Sequence, residues 1–152
     1  MTAAKWIVIL MTLAFIGCTT GPKATLASAE SDAAAKHFEP PDDRANLYIA
    51  RSNDSAARAS FDMMVDGKSI GPIEPGMFYL VTVEPGRHSI IAMATLNSAK
   101  VTLDAQAGRN YFYEVTSSGG GLAAQPSLGF VLLEEMGKLM VRQNRRAQSS
   151  GE

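Results

Sequence analysis

The chain has 152 residues, with 14 lysine and arginine residues against 15 aspartate and glutamate residues, a formal net charge of −1. This balance lacks the basic excess of nucleic-acid-binding domains and argues against such a partner. Without a predicted leader and linker, about 110 residues remain, which suffices for one domain with its own hydrophobic core. Since there is only one cysteine, no intramolecular disulfide is available and the core must supply the stability.

The first element in chain order is a predicted signal segment over residues 1–17. Lys5 provides a positive charge, the apolar residues 6–16 follow, and the small Gly17 stands directly before Cys18. The apolar run is shorter than the about 20 residues that a membrane-spanning helix needs. The pattern is therefore typical of a secretory signal peptide.

Residues 13–18, Leu-Ala-Phe-Ile-Gly-Cys, resemble the lipobox of bacterial lipoproteins. The resemblance implies cleavage between Gly17 and Cys18 and acylation of Cys18, which becomes the new N-terminus. Each buried CH₂ contributes about 0.8 kcal/mol, so two or three acyl chains hold a domain on a bilayer. Thr19, in place of aspartate, resembles lipoproteins sorted to the outer membrane, where the domain would face the periplasm. The alternatives are an ordinary signal peptide and a short uncleaved anchor.

Residues 18–43 are predicted to be the lipidated cysteine and a flexible tether, because they are rich in Ala, Ser, Thr, Pro and charged residues. A tether of this length has an end-to-end distance of about 25–30 Å. A helical turn over residues 31–37 is compatible with this composition.

Residues 44–142 are predicted to form a β domain, because apolar and polar residues alternate between turn sequences. Val101, Leu103 and Ala105, for example, alternate with polar residues, which indicates a strand with one wet face. Seven candidate strands cover residues 47–51, 61–66, 69–73, 77–83, 88–94, 101–106 and 111–117, and an eighth apolar run follows at residues 128–133. The pattern predicts an all-β, antiparallel sandwich of about seven or eight strands.

The period changes after residue 133, where apolar residues fall at helical spacing. Leu132, Met136, Leu139 and Met140 follow this spacing, with acidic residues at the start and Arg142 near the end. We expect a short C-terminal helix, and then a polar tail over residues 143–152 that frays.

Three sequences resemble a domain-of-unknown-function family found in bacterial lipoproteins. They are Val-Asp-Gly at residues 65–67, Val-Glu-Pro-Gly-Arg-His at residues 83–88 and Ala-Gly-Arg-Asn-Tyr-Phe at residues 107–112. The resemblance implies an immunoglobulin-like β domain over about residues 46–141, placed after a lipid anchor. It brings no catalytic residues.

The candidate contact residues are Arg87, His88 and Arg109, which are polar and lie next to turns. His88 opens a strand, where a histidine commonly bonds to a turn carbonyl. A hydrolase assembled from His88 with Asp66 or Asp104 lacks the Gly-x-Ser-x-Gly elbow. No His, Cys and Asp residues have metal-ligand spacing, so we predict no catalytic residues, no metal and no cofactor.

Other features are compatible with a binding surface, each with a plainer structural explanation. The loop at residues 117–127 is either a simple connection or a recognition loop. The methionines and tyrosines either pack in the core or line an apolar groove or a sheet face. The arginines at 142, 145 and 146 form either a solvated tail or a contact with anionic groups.

These observations predict a lipid-anchored, periplasm-facing lipoprotein that acts as a non-enzymatic binding or structural module of a bacterial envelope. Its expected partners are the membrane, through the lipid, and an envelope protein or cell-wall component. One alternative is an assembly or pilot lipoprotein that pairs with a partner by strand addition at an uncharged edge strand. The other is an atypical hydrolase, which a pocket with His88 beside a buried carboxylate would favour.

Overall fold

The computed structural model describes residues 23–53 and 58–151, which form a β-sandwich with two helices on one face. The predicted signal segment, including Gly17 and Cys18, lies outside the described residues. Neither helix in the described ranges has the length and apolar character needed to cross a bilayer.

The strands and helices follow the predicted order closely. They are α1 (Ala29–Ala35), β1 (Ala45–Arg51), β2 (Phe61–Val65), β3 (Lys68–Ile73), β4 (Met77–Val83), β5 (Gly86–Met93), β6 (Ser98–Ala105), β7 (Asn110–Ser118), β8 (Gln125–Phe130), α2 (Glu134–Gln143) and β9 (Arg145–Arg146). A short 3₁₀ turn, Gly121–Ala123, connects β7 to β8. The predicted all-β sandwich with a short C-terminal helix is confirmed.

The strands form a five-stranded sheet in the order β8-β7-β1-β4-β9 and a four-stranded sheet in the order β3-β2-β5-β6. Two pairs differ from the predicted antiparallel arrangement, because β1 pairs with β7, and β4 with β9, in parallel. The reason lies in burial. All seven residues of β1 are buried, since the helices cover the outer face of its sheet, and parallel strands are found where both faces are covered.

The described residues form two hydrophobic cores, one on each face of the five-stranded sheet. The inner core, between the sheets, includes Leu47, Ile49, Phe61, Met63, Val65, Ile90, Leu103 and Ala105. The outer core, between the larger sheet and the helices, includes Ala35, Phe38, Tyr48, Phe78, Phe112 and Val141. The alternation predicted on β6 is confirmed, because Leu103 and Ala105 are buried in the inner core and Val101 packs against it.

Much of the segment predicted as a flexible tether is part of the fold. Ser28 caps α1 by accepting a hydrogen bond from the Ser31 amide at 3.1 Å. The Tyr48 hydroxyl donates to the carbonyl of Ala35 at 2.8 Å, and Phe38 is only 7% exposed. These few apolar side chains cover the outer face of the central strands, so composition alone underestimates the order of residues 26–43.

The C-terminal tail likewise does not fray as predicted. Arg145–Arg146 pairs with the start of β4, and Ala147 is only 1% exposed. Leu26 bridges to Ala147, and the Arg146 amide donates to Asp32 of α1 at 2.7 Å. The segments before β1 and after α2 therefore stabilise each other along the edge of β4.

Candidate functional site

The three candidate contact residues lie at one end of the sandwich, which we call the His88 end. It comprises the turns at residues 66–67, 84–85 and 106–109 and the segment at residues 39–44. Arg87 pairs with Asp104 at 3.4 Å, and both side chains are 77% exposed. Arg109 instead lines a separate open cleft of about 490 Å³ with Phe38. The three residues therefore share an end of the sandwich but do not form one site.

His88 joins two turns. Its Nδ1 lies 2.6 Å from Asp66 Oδ2, and its Nε2 lies 2.7 Å from the carbonyl oxygen of Glu84. The other oxygen of Asp66 accepts a hydrogen bond from the Ser89 amide at 2.9 Å. The predicted bond from His88 to a turn carbonyl is confirmed, and the contacts tie the turn after β2 to the turn after β4.

This environment favours the charged forms of both side chains. Burial alone lowers the pKa of His88, but its bonds to Asp66 and to the Glu84 carbonyl, with the nearby negative charges, raise it overall above 6.5. Burial alone raises the pKa of Asp66, but the bonds from His88 and from the Ser89 amide lower it overall below 3.8. Because both ring nitrogens are engaged and Asp66 is 44% exposed, the geometry is that of a structural clamp.

The clamp predicts a pH-dependent effect of His88→Gln on stability. His88, whose folded pKa is raised, stabilises the fold fully below its unfolded value of 6.5, and this contribution is lost as pH rises through the folded value. Asp66, whose folded pKa is lowered, contributes above 3.8, and its contribution is lost as pH falls through the folded value. The pair thus stabilises most between these two unfolded values.

We expect His88→Gln to cost about 1 kcal/mol near pH 5, a value reduced by the partial exposure of Asp66. The cost should shrink by about pH 9 as the wild-type imidazole loses its proton. Urea denaturation at several pH values measures this difference, with Arg87→Gln as the exposed control. A His88→Gln cost that does not change with pH would contradict the clamp.

The tyrosines do not form a binding face, because three of them are in the cores. Tyr48, Tyr79 and Tyr113 are 0%, 1% and 4% exposed. The Tyr79 hydroxyl donates to the Pro72 carbonyl at 2.9 Å, and burial raises the pKa of Tyr48 and of Tyr79 to about 12. The hydroxyls of Tyr48 and Tyr79 therefore act as structural donors, and the prediction of core packing is confirmed for all three tyrosines.

The loop predicted at residues 117–127 is shorter in the structure. β7 continues to Ser118 and β8 begins at Gln125, so only the 3₁₀ turn and its flanking residues remain. Leu122 in this turn is 69% exposed. Within the part of the chain that the structure describes, no three His, Cys, Asp or Glu residues are grouped closely enough to hold a metal ion.

Sequence reasoning missed an exposed apolar surface around α2, which we call the α2 patch. It consists of Leu132, Leu133, Met136 and Leu139, which are 84%, 68%, 55% and 47% exposed. The helical spacing identified three of these residues but not the side of the helix that is buried. The buried side of the helix carries Gly137 and Val141. Because Gly137 has no side chain, the helix can approach Phe112 of the sheet closely. A groove of about 200 Å³ lies beside Met136 and Leu139.

Comparison with known proteins identifies one family. The family described as "Protein of unknown function (DUF2846)" matches residues 41–126 of this chain. An uncharacterized protein of Haemophilus influenzae is 28% identical over 142 residues, which cover 93% of this chain and 83% of that protein. No solved structure matches the chain. Because the family match covers more than half of the sequence, the chain belongs to the DUF2846 family of proteins of unknown function.

Proposed function

We propose that the protein is a lipid-anchored envelope lipoprotein, held through acylated Cys18 on the periplasmic side of the outer membrane, and that it acts as a non-enzymatic binding module. The support for the lipid anchor comes from the amino-acid sequence. Lys5, the apolar residues 6–16 and the small Gly17 precede Cys18 in the order that lipoprotein export requires. The described part of the chain after this segment is a folded domain.

The α2 patch is the surface that supports a binding role. Four large apolar side chains within eight residues are exposed, although they stand beside a well-packed core. Contiguous exposed apolar surfaces of this kind mark interaction sites on soluble domains. The polar candidates Arg87 and His88 are already paired within the domain. The α2 patch is therefore the better contact surface for an envelope protein that presents an apolar helix or loop.

A second candidate function is strand addition at β8. β8 is an edge strand of the five-stranded sheet, and its sequence, Gln-Pro-Ser-Leu-Gly-Phe, contains no charged residue. The outer strands β3, β6 and β9 each carry charged side chains. Since charges on edge strands discourage pairing with other chains, β8 is the edge best suited to accept a partner strand.

The anchor is tested by expressing the full chain in a bacterium and measuring intact mass and membrane fractionation. The wild type should be cleaved before Cys18, carry acyl chains and remain in the membrane fraction. Cys18→Ala should lose both the acyl mass and the membrane retention, whereas Thr20→Ala, which keeps the cysteine, should behave like the wild type. A soluble, unacylated wild type would overturn the anchor.

The two binding modes are separated by photo-cross-linking in intact cells. The photoreactive residue is placed at Leu139 in the α2 patch, at Ser127 on β8, and at the exposed Thr102 on β6 as the control. We expect a discrete adduct from Leu139 that Met136→Lys abolishes. An adduct from Ser127 alone would favour strand addition instead. If neither position gives more adduct than Thr102, the binding module is wrong.

A further inference from the structure

We infer that the end of the sandwich opposite His88, which we call the Leu96 end, rests on the anionic surface of the bilayer. It comprises the turns at residues 74–76, 94–97 and 119–124 and the nearby chain segments at residues 26–28, 58–60 and 144–146. In this orientation the side chains of Leu96 and Leu122 enter the interfacial region of the lipid. The inference rests on the proposed lipidation of Cys18 and adds which surface of the domain the membrane covers.

Two neighbouring loop tips present apolar side chains at this end. Leu96 is 71% exposed and Leu122 is 69% exposed, and Met93 at the end of β5 is 41% exposed. The side-chain amide of Asn97 donates to the Ala124 carbonyl at 3.4 Å, so the two turns are held beside each other. Exposing leucine side chains to water is unfavourable. Shallow burial of the two tips in lipid removes this apolar surface from water and is favourable.

The position of the anchor keeps the domain close to the membrane. Leu26 lines a cleft with Gly76, Met77 and Arg145, and the Ala27 amide donates to the Arg146 carbonyl at 3.0 Å. The Gln148 amide donates to the Thr25 carbonyl at 2.7 Å, so only the residues between Cys18 and Thr25 are available as a linker. Even fully extended, they span at most about 25 Å. A linker this short holds the domain against the bilayer, and the apolar tips and the charges decide which end meets the lipid.

The charges of the described loops and chain ends fit the same orientation. The Leu96 end carries exposed Arg58 and Arg145, against a half-buried Glu74. The loops that define the His88 end contain five acidic residues, Glu39, Asp42, Asp43, Asp66 and Glu84, against the two basic residues Arg44 and Arg109. Anionic head groups attract basic side chains near the surface and repel acidic ones. The domain should therefore turn its Leu96 end toward the lipid and its His88 end away from it.

This orientation is measurable with single tryptophans. The sole tryptophan of the chain, Trp6, lies in the segment that processing removes, so the mature protein contains none. Leu96→Trp and Leu122→Trp place a reporter at the two tips, and Ala107→Trp places one in an exposed turn of the His88 end. Each mature lipidated protein is reconstituted into vesicles of phosphatidylethanolamine and phosphatidylglycerol, with or without brominated acyl chains.

We expect emission from the tryptophans at 96 and 122 to shift to the blue and to lose most of its intensity in brominated vesicles. Emission from Ala107→Trp should do neither. Equal quenching at all three positions, or quenching at 107 alone, would overturn the orientation. Intact mass is measured first on each sample, because an unacylated protein or one that retains Trp6 would overturn the anchor itself. An acylated protein with unquenched tips would leave the anchor standing and refute only the orientation.

Discussion

Replacing Arg51 by alanine is expected to lower the free energy of unfolding by about 3 kcal/mol. The side chain is 0% exposed, although it ends strand β1 with a positive charge. Its Nη1 donates to the carbonyls of Ala59 and Ile73, and its Cζ lies 4.5 Å from the centre of the Phe61 ring. Alanine would leave the two buried carbonyls without this donor and open a cavity between the sheets.

A lysine at position 51 is expected to recover only part of this loss. Burial lowers the pKa of Arg51, although the negative charge of Glu74 opposes the shift. An ammonium group presents a single nitrogen, so it cannot reproduce the planar set of donors that reaches several acceptors at once. We expect Arg51→Lys to cost about 2 kcal/mol, less than alanine but well above the error of the measurement.

Urea denaturation at neutral pH measures these losses. The matched control is Arg87→Ala, because Arg87 also pairs with a neighbouring group, Asp104, but is 77% exposed. Exposed ion pairs are worth about 0.5 kcal/mol, so this control should be nearly neutral. Similar costs for Arg51→Ala and Arg87→Ala would show that the buried guanidinium does not hold the ends of these strands together.

The strands were predictable because each has apolar residues on the face or faces that it buries, and because each ends at a recognisable turn sequence. On β2, for example, Phe61, Met63 and Val65 alternate with more exposed residues, and Asp66 and Gly67 close the strand with positive φ angles. Such a pattern is local, so it can be detected without knowledge of the partner strand. The parallel pairing of β1 with β7 is not local, and nothing in either segment announces it.

The segments flanking the sandwich were less predictable, because their order comes from contacts between distant residues. Asp32 of α1 accepts hydrogen bonds from Lys36 at 2.7 Å and from the Arg146 amide, which lies more than a hundred residues further along the chain. Lys36 also donates to the Asn144 carbonyl at 2.8 Å. Taken singly, both segments have the polar composition of linkers, and only their pairing gives them stable structure.

Some features of the candidate site were likewise predictable from the sequence, and others were not. The bond from His88 to a turn carbonyl followed from its place at the start of a strand, but Asp66 as its second partner depends on how the turns pack. The α2 patch was not foreseen, since a helical stripe of apolar residues is ordinarily the buried face. Here a glycine beside the stripe decides the orientation of the helix. Cys18 lies outside the described residues, so its lipidation stays a prediction.

Replacing Gly137 by alanine is expected to destabilise the protein by about 2 kcal/mol, although alanine is the better helix former. A Cβ atom at this position would lie 2.7 Å from Cβ and Cδ2 of Phe112, and still closer to its Cγ. Phe112 is 2% exposed and stacks on Tyr48 at 5.0 Å between ring centroids, so it has little room to move. The helix must therefore shift outward, which loosens the outer core.

Urea denaturation gives the overall cost, and amide hydrogen exchange locates it. The exchange of amides in α2, such as that of Gly137, which donates to the Leu133 carbonyl at 3.1 Å, should accelerate more than that of amides in β5. Gly120→Ala is the matched control, because its extended backbone accepts alanine and no atom lies within 4 Å of the added Cβ. A neutral Gly137→Ala variant would contradict close packing of α2 on the sheet.

Gly137 also links the fold to the proposed binding surface. Because the helix docks through a residue without a side chain, its larger apolar residues Met136 and Leu139 remain available at the surface. A helix displaced by Gly137→Ala no longer holds these two side chains in a fixed relation to Leu132 and Leu133. We therefore expect the variant to weaken the photo-cross-link from Leu139, whereas Gly120→Ala should leave it unchanged. An undiminished cross-link in the destabilised variant would separate partner binding from the docked position of α2.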